Sequence, residues 1–197
     1  VTDASLGTVA ELPQLRILEL GGTGVTNAGL AALAGNPRLE RLGLAGTRIS
    51  GGGLRHLSDI VTLRRLSLGR TRIEGSSLRH LANLRELRRL DLWATSVDDV
   101  GFAHLAPLTK MEELHAWGTE LGDDALRVAQ RWPTLEVLQL WYTRVTDAGL
   151  ADLGFTQLRV LGIGGTRIRG HGLAEPLKRF PALEELHLWA TDVDDDA

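Results

Sequence analysis

The chain has 197 residues, 43% of them hydrophobic and only 5% aromatic, with a formal net charge of -3 and no cysteine. A nucleic-acid binder needs a basic face, so the charge argues against that class, and without cysteine there is neither a disulfide framework nor a thiolate metal site. No apolar run approaches the ~20 residues that span a bilayer, and no segment reads as a secretion signal.

In chain order, VTDASL (1–6) reads as the tail of a broken unit, because VTDAGL returns at 145–150. The pattern L-x-x-L-x-L-x-x-T then starts at Leu15, Leu39, Leu63, Leu87, Met111, Leu135, Leu158 and Leu183. The first five steps are 24 residues, and the last two are 23 and 25. In the first half of each unit, positions 4 and 6 are apolar and alternate as a strand requires, so positions 3, 5 and 7 face the other way. The second half begins with a β-branched residue or Leu (Val25, Ile49, Ile73, Val97, Leu121, Val145, Ile168, Val193). Residues that favour helix N-termini follow, such as Thr26 and Asn27, or Thr146 and Asp147. Apolar residues then recur three apart, as in Leu54, Leu57, Ile60 and in Phe102, Leu105, Leu108, which predicts a short helix with one buried stripe. VDDDA at the end opens another unit.

One strand and one short helix cannot bury both apolar faces alone; stacked copies can. The register of L-x-x-L-x-L-x-x-T-x-[IV] followed by TDAGL-x-x-L resembles the leucine-rich repeat family over essentially the whole chain. It is similar to a bacterial-type variant with Thr where the family usually has Asn or Cys. Thr fills that position in all eight units: Thr23, Thr47, Thr71, Thr95, Thr119, Thr143, Thr166 and Thr191. The resemblance implies a right-handed α/β solenoid, an arc with a parallel sheet on the concave face and short helices on the convex face. It is expected to be a single array over 1–197, about eight units with partial ones at both ends. The chain opens on Val1 and shows no polar cap at either end, so the reading expects a piece of a longer protein.

The concave face is then read column by column. Position 7 runs Gly21, Ala45, Gly69, Trp93, Trp117, Trp141, Gly164, Trp189; position 5 runs Glu19, Gly43, Ser67, Asp91, His115, Gln139, Gly162, His187. Position 3 runs Ile17, Arg41, Arg65, Arg89, Glu113, Val137, Val160, Glu185, and position 8 is small except for Arg70 and Tyr142. Four of the five Trp thus share one register. The leucines fill the core, so these rings form either a self-stacked ladder or a binding surface, and exposed Trp and Tyr are common interface anchors. Trp93, Trp117, Trp141, Tyr142 and Trp189 are the expected anchors. Asp91, His115, Gln139 and His187 would add hydrogen bonds, and Arg41, Arg65 and Arg89 a basic flank. Residues 38–90 hold twelve Arg against four acids, and 91–154 eleven acids against four bases, a polarity able to orient a partner.

Catalytic and metal readings fare less well. His56, His80 and His104 form one column on neighbouring helices ~10 Å apart, too far to share an ion. His115 and His187 are three strands apart. Asp98 with Asp99, Asp123 with Asp124, and Asp194 to Asp196 stand where helices start, so capping explains them better than calcium. GGTGVTNAG (21–29) lacks the Gly-Lys-Ser/Thr ending of a phosphate loop. Trp132 reads as a core filler at its helix end.

The expected function is protein recognition on the concave face, with no enzyme, cofactor or metal in this segment and neither nucleic acid nor membrane as partner. The resemblance implies the recognition part of a larger protein, for which a bacterial effector is one context. Zero Cys suits a reducing compartment, the cytoplasm or the interior of a host cell. The alternatives are carbohydrate or small-ligand binding on the Trp ladder, with Gly162 and Gly164 as a notch, or a structural spacer.

Overall fold

The computed structural model describes residues 1–151, 153–169 and 173–191. Val193 and Asp194 to Asp196 lie outside the described residues. Eight three-residue strands are laid down at one place in each repeat: β1 (Ile17–Glu19), β2 (Arg41–Gly43), β3 (Arg65–Ser67), β4 (Arg89–Asp91), β5 (Glu113–His115), β6 (Val137–Gln139), β7 (Val160–Gly162) and β8 (Glu185–His187). They form one parallel sheet in sequence order, so each strand's only neighbours come from adjacent repeats. The register follows the repeat: Arg41 faces Arg65, Arg65 faces Arg89, and Gln139 faces Gly162. The architecture is the right-handed α/β solenoid that the resemblance implies.

The leucine columns are the core. Leu42, Leu66, Leu90, Leu114, Leu138 and Leu161 are at most 1% exposed, as are the leucines that open repeats two to four. Each such side chain contributes roughly 1.5–3 kcal/mol of transfer free energy. Trp132 is also buried, its ring tilted against Phe102 at 5.7 Å, which is the core role expected of it.

Each repeat closes through its Thr. The hydroxyls of Thr23, Thr47, Thr95, Thr119, Thr143 and Thr166 donate to the carbonyl three residues earlier at 2.6–2.7 Å. Thr71 and Thr191 do the same. The bond stays inside its own turn and satisfies a carbonyl at the end of the strand. Just before it, position 8 always has positive φ: Gly22, Gly46, Gly118 and Gly165 lie between +63° and +69°, and Arg70, Ala94, Tyr142 and Ala190 between +51° and +54°.

The outer segments are not uniform. Asp3–Ala10, Asn27–Ala32 and Asp123–Ala129 are α-helices, whereas Gly51–Leu57 and Gly75–Leu81 are 3-10 helices. Gly51, Gly52 and Gly53 disfavour the α form, and a three-residue turn places Leu54 and Leu57 one above the other. Among the described residues no helix is long and apolar enough to cross a membrane.

The acids at the helix starts do more than cap. Asp98 caps its own helix, accepting from the Gly101 N–H at 3.0 Å. Asp123 instead reaches the next repeat, where its two oxygens accept from the Thr146 N–H and hydroxyl, both at 2.8 Å. Asp3 receives the Thr26 N–H and hydroxyl likewise, at 2.8 and 2.6 Å, and Asp99 receives the N–H groups of Gly122 and Ala125. These side chains stitch one repeat to its successor, a role that local capping does not describe.

Candidate functional site

Leu at positions 4 and 6 turns inward, which leaves positions 3, 5 and 7 on the concave face. There the rings of position 7 do not form one ladder. Trp93 and Trp117 stack, centroids 4.8 Å apart and planes 10° apart. Trp141 stacks instead on His187 at 5.9 Å and meets Trp189 edge-on at 5.6 Å. Tyr142 packs edge-on against Trp189 at 5.1 Å. No ring contact joins Trp117 to Trp141 among the described residues, so the aromatic wall splits between β5 and β6.

Glycines decide which way each ring leans. Trp93 lies back over Gly69, in the space that a Cβ there would fill. Trp141 lies forward over Gly162, and a Cβ at Gly165 would fall 2.6 Å from Tyr142 Cδ1. At Gly164 it would fall 2.8 Å from Trp189 Cδ2. The expected notch at Gly162 and Gly164 is therefore not open: Gln139, Trp141 and Trp189 fill it. That closes the notch as a place for a carbohydrate or small ligand. Trp93, Trp117 and Trp141 are half-buried, while Tyr142 and Trp189 stay 59% and 42% exposed.

The polar partners divide in the same way. Gln139 is buried, and its Oε1 and the Trp141 Nε1 have no hydrogen-bond partner. His115 and His187 each point a ring nitrogen at the glutamate two residues earlier, Glu113 at 3.5 Å and Glu185 at 3.3 Å. Asp91 is largely covered and sits 3.3 Å from Arg89. His56, His80 and His104 remain on the outer segments, where burial first, then Arg79 and Arg55, hold the His80 imidazole below its ordinary value.

At position 3 the arginines are not equivalent. Arg41 pairs with Glu19 at 2.5 Å, and Arg89 with Glu113 at 2.6 Å as well as Asp91. Arg65, between them in register, makes no ion pair among the described residues. In front of these three lies an open recess of about 260 Å³ lined also by Gly43, Ser67 and Asp91. Beside it a groove of about 410 Å³ adds Arg64 and Arg88, with Glu40, Glu112 and Glu113. Arg64 and Arg88 belong to this face, although the column reading did not select them. The signal was the arginine density of residues 38–90.

No protein-family model and no curated protein matches the chain. Solved structures do. A leucine-rich repeat protein from Leptospira interrogans superposes with a TM-score of 0.73 at 18% identity over 96% of this chain and 47% of its own. The plant peptide hormone receptor RGFR1 in complex with RGF2 gives 0.65 at 18%, over 94% and 30%. An internalin from Listeria monocytogenes gives 0.59 at 21%, over 99% and 65%. The chain thus spans about a third to two thirds of the structures it resembles. What they share with it is the fold, the leucine-rich repeat solenoid.

Proposed function

We propose that the concave face of this leucine-rich repeat solenoid is a protein-binding surface. The observation that carries the reading is the aromatic wall. The leucine core is complete without it, yet Tyr142 and Trp189 present rings that are 59% and 42% exposed, beside half-buried Trp93, Trp117 and Trp141. Large rings held rigid by neighbouring rings lose little side-chain entropy when a partner covers them, which is what an interface anchor requires. Asp91, His115, Gln139 and His187 supply polar contacts around the rings, and Arg41, Arg65 and Arg89 the basic flank. The likeness to a receptor solved in complex with RGF2 supports recognition as the role, without catalysis in this segment. The setting proposed for it is bacterial, as the recognition part of an effector.

The test is capture of a partner from lysate by the 197-residue chain beside a Trp117→Ala/Trp141→Ala variant of unchanged circular dichroism. A protein held by the first and released by the second identifies partner and face together. Equal retention by both refutes the reading and leaves the rings as a structural wall. The effector context is checked separately, by whether the parent protein is found inside host cells.

A further inference from the structure

Repeat three carries Arg65 and Arg70, which form no ion pair among the described residues. Arg65 stands in register between Arg41 and Arg89. Both flanking guanidinium groups are held by carboxylates, Glu19 on one side, Asp91 and Glu113 on the other. Three cations on strands ~4.8 Å apart repel one another, and the central one has no acid of its own. The Glu19 carboxylate lies over Gly43 and Asp91 lines the other side, so the recess of about 260 Å³ in front of Arg65 sets three arginines against two acids. That recess suits the group Arg65 lacks, a carboxylate.

Arg70 stands in the turn that follows the same strand, in the left-handed conformation at φ 51°. Its counterparts on either side are Gly46 and Ala94, so no acid at that level faces it. The side chain is exposed and makes no ion pair or ring contact among the described residues, while the backbone N–H donates to the Trp93 carbonyl at 2.8 Å. Position 8 is left-handed in every repeat, and Gly or Ala fills it in six of the eight, so the fold asks for the turn and not for an arginine there.

We propose that repeat three is the acidic subsite of the binding face: Arg65 and Arg70 receive carboxylates from an acidic segment of the protein partner. The Trp93–Trp117 stack beside them, whose first ring already lies over Gly69, takes an adjoining apolar side chain. The proposal rests on the protein-binding reading above and adds the partner's chemistry to it. The two arginines are five positions apart, at most ~16 Å, so a partner segment lying along β3 and the turn after it meets both when its acids are a few residues apart.

The experiment is fluorescence anisotropy of the 197-residue chain with a labelled octapeptide of four glutamates, two glycines and two leucines. The same peptide with glutamine for each glutamate is the control. The acidic peptide should bind, the glutamine peptide at least about tenfold more weakly, and Arg65→Ala and Arg70→Gly should each cost about tenfold, since each removes a charge-assisted hydrogen bond. Binding should weaken as NaCl rises from ~50 to ~300 mM. Arg70→Gly removes strain, so its Tm should not fall, which separates lost binding from lost folding. Equal binding of both peptides, no binding of either, unchanged affinity in the variants, or preference for a single-stranded oligonucleotide or phosphatidylserine vesicles overturns the proposal. If the acidic peptide fails while Trp117→Ala/Trp141→Ala still releases the captured partner, only the subsite falls. If that variant releases nothing, the binding face falls with it.

Discussion

Replacing Tyr142 by glycine separates a ring kept for a partner from a ring kept for the fold. Tyr142 sits at φ 54°, in the column where glycine occurs four times. Relieving a left-handed side chain contributes about 1–2 kcal/mol. Against that stands the edge-on contact with Trp189 at 5.1 Å, worth about 0.5–1.5 kcal/mol. The added freedom of glycine in the unfolded chain costs a further ~0.5–1 kcal/mol. Little burial is lost, because the ring is 59% exposed. The opposing contributions nearly cancel, so Tyr142→Gly should change stability by less than about 1 kcal/mol, a Tm shift within ~4 °C. Phe102→Ala, in the buried core, should cost about 3–5 kcal/mol. Urea unfolding followed by circular dichroism measures both, and partner capture is scored on the same samples. The expected result is near-native stability with weakened capture. A loss above about 2 kcal/mol would show that the ring is structural, and undiminished capture would show that it is not an anchor.

Other outcomes follow from the packing of the outer segments and from their ionisable groups. A Cβ at Gly101 would sit inside the backbone of Gly75, so Gly101→Ala should destabilise by about 3 kcal/mol or more, whereas Gly24→Ala, with nothing within 4 Å, should stay within about 1 kcal/mol of the parent in calorimetry. At Gly149 a Cβ would meet Asp123 Cγ at 2.6 Å, so Gly149→Ala and Asp123→Ala should each cost about 1–3 kcal/mol. The pair of substitutions should cost about 1 kcal/mol less than their sum, because removing the carboxylate frees the space; strict additivity in the double-mutant cycle refutes the coupling. Stability should also fall in two steps with acid. The His80 imidazole is held low by burial, so its contribution is complete above the ordinary value of about 6.5 and is lost as pH falls through the folded one. Asp3 is held low by the Thr26 hydroxyl and N–H, and Glu40 and Glu184 by Arg16 and Arg159, so theirs is complete above about 4 and lost below it. Urea midpoints against pH should show both steps, and His80→Gln should remove only the upper one.

The strand register was legible because the period is a hard constraint. A leucine at position 4 that moved by one residue would turn out of the core, and Leu42, Leu66 and Leu90 would all have to move with it. The Thr column and the core place of Trp132 were legible for the same reason. What the spacing did not carry was direction. Trp93 and Trp141 share one column, yet one leans toward β3 and the other toward β7, because the glycine that admits each ring, Gly69 or Gly162, lies on opposite sides. Nor did spacing distinguish Arg65 from Arg41 and Arg89, since that difference is set by acids on other strands, Glu19 and Glu113. The helix-start acids were read as local caps because a one-dimensional pattern shows the helix an aspartate precedes. It does not show the neighbouring turn lying within reach across the stack.

The two faces of the solenoid handle their irregularities differently, and that difference bears on function. On the outer side a departure from the pattern is matched by a neighbour: Asp3 oxygens lie in the space that Gly29 leaves, the Asn27 amide at Gly53, and Asp123 at Gly149. Each pair closes a gap between consecutive repeats and satisfies backbone N–H groups that would otherwise lack partners. On the concave side the gaps at Gly69, Gly162 and Gly164 are filled by rings in the same way, but some side chains stay unmatched: among the described residues Arg65 and Arg70 form no ion pair, Tyr142 is 59% exposed, and the aromatic wall breaks between Trp117 and Trp141. A solenoid gains stability from neighbours that match, so unmatched residues gathered on one face cost stability and return nothing to the fold. Under the proposed function, they are the residues that a partner protein complements.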